Sequence, residues 1–84
     1  VDIDWEFPGR AGMSCNVVNK QTDTANLLVL LKELRAALGT QKYISMAVRV
    51  EPFDGPSGPL KDVSGHAAVL DFINIMSYDL YGAW

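Results

Sequence analysis

Residues 43–50 read YISMAVRV, a nearly continuous apolar run with no helical period. A run of this kind is the mark of a strand covered on both faces, which is the situation of strands in a parallel sheet. The segment before it supplies a cover. Leu27, Leu31, Leu34 and Leu38 recur at three or four residues, Lys32, Glu33 and Arg35 stay polar, and Gly39 stands where a C-terminal cap is wanted. The spacing predicts a helix from Asp23 or Thr24 to Leu38, with Asp23 as N-cap.

The rest of the chain extends this order. Residues 1–7 alternate apolar and acidic side chains until Pro8-Gly9 stops the run, which predicts a strand. Arg10 to Thr24 has no sustained period and is a long loop, suited to walling a cleft. EPFDGPSGPLKD (51–62) holds three prolines and two glycines and is a second loop. A short helix is expected over Val63–Leu70, then a further buried strand in FINIMSYD. Strand, helix, strand, helix, strand is the order of βαβ units with right-handed crossovers, and so of an α/β fold with parallel strands.

Composition narrows the partners. With 49% hydrophobic and 20% charged residues, the chain matches ordinary globular protein. A net charge of −3 and seven scattered Lys and Arg residues offer no basic surface for nucleic acid. The longest apolar run, Leu27–Leu31, is far short of the roughly 20 residues that span a bilayer. Cys15 stands alone and is read as a buried filler or half of a bridge to sequence outside this chain. The chain starts with Val1 inside a strand pattern and stops at Trp84 just after another, so we expect residues 1–84 to be an excerpt of a larger domain.

Strand alternation puts Asp2, Asp4 and Glu6 on one face and Val1, Ile3 and Trp5 on the other. Carboxylates at i, i+2 and i+4 repel when all are ionised, and partial burial would add a desolvation cost. At least one proton is therefore expected to be held above ordinary carboxylic values, giving a usable general acid. A solvated acidic face is the competing structural explanation. A second polar cluster lowers its weight: in NIMSYD, Asn74, Met76 and Tyr78 share a face, and Asp79 follows at the strand tip. Ligands of α/β sheets and barrels sit at the carboxyl ends of strands.

DIDWEFP resembles the latter part of the D-x-x-D-x-D-x-E signature of glycoside hydrolase family 18 chitinases, and MSYDLYGAW resembles that family's M-x-Y-D-x-x-G-x-W segment. The resemblance implies strands four to six of a (β/α)8 TIM barrel. It also implies hydrolysis of β-1,4-linked N-acetylglucosamine polymers, chitin or chitooligosaccharides, by a retaining mechanism assisted by the substrate. By the same resemblance Glu6 is the acid and then the base, Asp4 holds the acetamido N–H, Asp2 shares charge and proton with Asp4, and Tyr78 donates to the acetamido oxygen. Met76 would floor the subsite, Asp79 would bind the sugar, and Trp84 would stack on a neighbouring ring. No metal or cofactor is implied. The full protein is expected to be monomeric and secreted.

The first Asp of the signature would stand before Val1, and Phe7 takes the place of the more frequent Tyr. His66, expected on a surface helix or turn without a nearby Cys or second His, is given no metal role. Arg49 and Glu51 are left without a role. Two other function classes stay in view: a chitin-binding, lectin-like protein on the same scaffold, against which the retained Glu6 argues, and an enzyme holding Mg²⁺ through D-x-D-x-E. A relative that cleaves the N,N′-diacetylchitobiose core of glycoproteins shares the signature. The 84 residues alone are expected to be poorly folded and inactive.

Overall fold

In the computed structural model, residues 1–12 and 16–76 are described. Their elements are β1 (Asp2–Asp4), α1 (Asp23–Leu38), β2 (Ser45–Val48), β3 (Asp54–Gly55), β4 (Gly58–Pro59), α2 (Ser64–Ala67) and β5 (Phe72–Ile75). β1, β2 and β5 form a parallel sheet in the order β1-β2-β5, so the expected alternation of parallel strands and helices is found. Asp4 stands level with Ala47, and Ala47 with Asn74.

The predicted apolar strand forms because every second residue meets α1. Ile44, Met46 and Val48 are at most 1% exposed and cluster with Leu27 and Leu31, both wholly buried. Leu34 and Leu38 continue the helix stripe, while Ile3 of β1 and Trp5 just past its end pack on the same cluster. The apolar side of β1 therefore faces the core, as alternation requires. Each fully buried leucine contributes about 1.5–3 kcal/mol, which makes this contact the main stabilising layer.

Helix α1 ends as predicted, with Gly39 at φ 73° and its N–H bonded to the Arg35 carbonyl. Its start differs. Thr22 occupies the cap position without a side-chain bond, and Asp23 is the first helical residue. The Asp23 carboxylate is turned away from its own helix and accepts the N–H groups of Gly9 (3.1 Å) and Asn19 (3.0 Å), so it ties the loop to α1 instead of capping it. At the other end Arg35 gathers the carbonyls of Gly39, Lys42 and Val69 and the carboxylate of Asp71, which also accepts the Ile44 N–H.

Other expectations need correction. β1 spans less than residues 1–7, because the chain bends at Glu6. The 51–62 loop contains a small antiparallel hairpin, β3–β4, turned at Pro56-Ser57. α2 is only four residues long, with Asp62 accepting the Ser64 N–H at its start. β5 is exposed along its length rather than buried. Among the described residues it pairs with β2 alone, and so short a helix covers little of it. His66 is not on the surface but 6% exposed, stacked on Phe53 at 4.4 Å with Nε2 donating to the Thr24 carbonyl (3.0 Å).

Candidate active site

Residues level with one another in a parallel sheet project to the same side. The register therefore sets two rows across the sheet, Asp2 with Ser45 and Phe72, and Asp4 with Ala47 and Asn74. Met76, two residues past Asn74, falls on that same side by alternation, and its N–H closes the ladder on the Val48 carbonyl at 2.7 Å. The side opposite α1 thus brings together the acids of β1, Asn74 and Met76. Ser45 Oγ donates to Asp2 Oδ1 at 2.8 Å, a strand-to-strand tie within the row. Asp2, Asp4 and Glu6 are all exposed, so the partial burial expected for them is not found among the described residues. Met76, by contrast, is 9% exposed. Tyr78, Asp79 and Trp84 lie outside the described residues.

Glu6 stands just beyond β1, at the carboxyl end of the sheet. The Glu6–Phe7 peptide bond is cis. Phe7 and Arg10 then exchange backbone hydrogen bonds (2.9 and 3.1 Å) and close a tight turn directly after the acid. The loop next folds back under Glu6: a β-carbon on Gly12 would lie 2.6 Å from the Glu6 carbonyl oxygen. Gly9, at φ 75°, abuts Asp54, where a β-carbon would lie 2.9 Å from the Asp54 carbonyl oxygen.

Asp54 is the feature the sequence did not reveal. It is 7% exposed and accepts Arg10 Nε at 2.7 Å on one carboxylate oxygen and Arg49 Nη2 at 2.8 Å on the other. The Thr24 hydroxyl donates to its carbonyl. Arg49, which leaves β2 where β1 gives way to Glu6, lies over the Phe7 ring with its guanidinium carbon 5.4 Å from the centroid. No periodicity links these residues, and an Asp in a Pro/Gly-rich loop ordinarily reads as turn chemistry. A cavity of about 390 Å³ flanks the hairpin, with Arg10, Lys20, Asp54 and Ser57 in its wall, and does not include the acids. Among the described residues, no group of three or more His, Cys, Asp or Glu side chains is placed to hold a metal ion.

The profile of glycosyl hydrolases family 18 matches residues 1–84. The chain belongs to this family. A chitinase-like effector of Moniliophthora roreri is 45% identical over the whole chain, which spans 20% of that protein's length. Chitinase C of Streptomyces lividans is 33% identical, again over the whole chain, which covers 13% of it. The crystal structure of a chitinase from Rhizomucor miehei superposes with a TM-score of 0.89 at 36% identity, over 96% of this chain and 22% of that one. The chain thus spans about a fifth or less of the relatives it matches, and its β-α-β-α-β order is a segment of the family 18 (β/α)8 barrel.

Proposed function

We propose that this chain is part of a family 18 catalytic domain that hydrolyses β-1,4-linked N-acetylglucosamine polymers with retention, using Glu6 as general acid and base. The observation that carries the reading is the convergence of Asp2 and Asp4 with Asn74 and Met76 on one side of the sheet, with Glu6 at its carboxyl end. Reactive groups in parallel α/β architectures gather at that end.

In this reading the acetamido carbonyl oxygen of the sugar attacks C1 as the bond from C1 to the leaving oxygen breaks, and Glu6 gives that oxygen its proton. An oxazolinium ion results. Asp4 accepts the acetamido N–H and balances the positive charge, with Asp2 sharing charge and proton behind it. Tyr78 donates to the acetamido oxygen and holds it near attack distance. Water then adds to C1, Glu6 takes its proton, and the ring opens to the retained product. Met76 floors the subsite, and Asp79 and Trp84 contact the sugars. The whole protein acts as a secreted monomer, and the 84 residues alone are inactive.

In the full-length protein, Glu6→Gln should abolish release of a chromophore from a chitooligosaccharide while leaving oligosaccharide binding largely intact. Near-normal turnover would sink the assignment. A second reading is favoured by one observation, the similarity to a chitinase-like effector of Moniliophthora roreri: a lectin-like protein that holds chitooligosaccharides without cutting them. Binding by the unaltered full-length protein with no hydrolysis would decide for it.

A further inference from the structure

The strongest structural feature outside the row of acids is the Arg10–Asp54–Arg49 group, and its position relative to Glu6 gives it a consequence. The residue after Glu6, Phe7, is gripped twice. Its backbone exchanges hydrogen bonds with Arg10, whose side chain ends on Asp54, and its ring lies under Arg49, whose side chain ends on the other oxygen of the same carboxylate. Both grips converge on a single buried anion. Gly9, inside the turn, presses on the Asp54 backbone, with no room for a β-carbon.

The anchor itself is fixed. Thr24, in the first turn of α1, donates its hydroxyl to the Asp54 carbonyl, and its own carbonyl accepts His66 Nε2 from α2. The hairpin that carries Asp54 is thus tied directly to α1, which α2 in turn braces through His66. Arg49 depends on Asp54 in turn. Its side chain is 18% exposed, and its Nε is buried with no hydrogen-bond partner among the described residues. Without Asp54 the guanidinium would be a largely buried charge with no counter-ion among the described residues, which is a strong drive to rearrange.

We infer that Asp54 is a positioning residue for Glu6, acting through Arg10 and Arg49 to fix the Phe7–Arg10 turn and with it the direction from which the acid meets its substrate. This rests on the reading of Glu6 given under Proposed function. Asp54 touches neither the sugar nor the reacting atoms in this account. Its effect is on how often Glu6 is in a productive pose, and it should therefore appear in kcat and leave KM alone.

The test compares Arg10→Gln, Asp54→Asn, Glu6→Gln and Leu34→Ala in the full-length protein. kcat and KM are read on a chromogenic chitooligosaccharide and the melting temperature on each variant. Arg10→Gln and Asp54→Asn should each lower kcat by about tenfold or more with KM within about twofold. Leu34→Ala, which thins the α1 contact far from the turn, should lower the melting temperature with kcat unchanged. The Arg10 side chain is 47% exposed, so its replacement decides the matter even where Asp54→Asn fails to fold. Unchanged kcat in Arg10→Gln, a change confined to KM, or an equal kcat loss in Leu34→Ala would overturn the inference. A dead Glu6→Gln beside a normal Arg10→Gln overturns it alone, whereas an active Glu6→Gln removes the reading beneath it as well.

Discussion

Gly12 lies directly against Glu6, so close that a β-carbon there would stand 2.6 Å from the Glu6 carbonyl oxygen and 3.2 Å from the Glu6 β-carbon. The first contact is with backbone, which cannot swing aside as the tip of a flexible side chain would. Gly12→Ala should therefore move the Glu6 backbone. Because Gly12 itself is exposed, stability should change little while kcat falls by about tenfold or more. Wild-type kcat in that variant would mean that the loop, not Glu6, gives way.

Ser45 links β2 to the acid row through its bond to Asp2 Oδ1. Ser45→Ala keeps the small buried volume and removes the donor, so urea unfolding should show a loss of about 0.5–1.5 kcal/mol. Under the proposed charge sharing between Asp2 and Asp4, kcat should fall too. A stability loss with full activity would place Asp2 outside the proton network.

Asp71 gives a pH dependence with a definite sign. The Ile44 N–H, followed by the Arg35 guanidinium, stabilises its ionised form, so its carboxyl is held below the usual carboxylate range in the folded state. A group with a depressed folded value stabilises the fold above its unfolded value and loses that contribution as pH falls through the folded one. Stability should decline on acidification below the ordinary carboxylate range, and Asp71→Asn should flatten that branch of a denaturant-midpoint against pH curve. An unaltered branch would refute the assignment.

Leu31 is wholly buried between α1 and β2. Leu31→Ala should cost about 2–5 kcal/mol in equilibrium unfolding. A smaller loss would show that the surrounding side chains collapse into the space, which Met46 is the best suited of them to fill.

The elements that a local pattern encodes were legible. Leu27 to Leu38 fixed the helix and Gly39 its end, the run from Ile44 to Val48 marked the central strand, and alternation sorted Asp2 and Asp4 from Ile3 and Trp5. What escaped were pairings between residues distant in sequence. Arg10 meets Asp54 across 44 positions and His66 meets Thr24 across 42, and neither pair leaves a periodic trace. Asp23 looked like a cap because Asp before a helix commonly is one, yet its carboxylate serves Gly9 and Asn19. The apolar residues of β5 state what that strand is built to bury. They do not say what lies beside it.

The β1–β2 register also guards against mispairing. Sliding β2 by one position would turn Met46 and Val48 out among the carboxylates and drive the Ser45 hydroxyl into the wholly apolar contact of Leu27 and Leu31. Each error strands one kind of group in the other's surroundings. The alternation that displays the acids therefore doubles as a lock on how the strands find each other during folding.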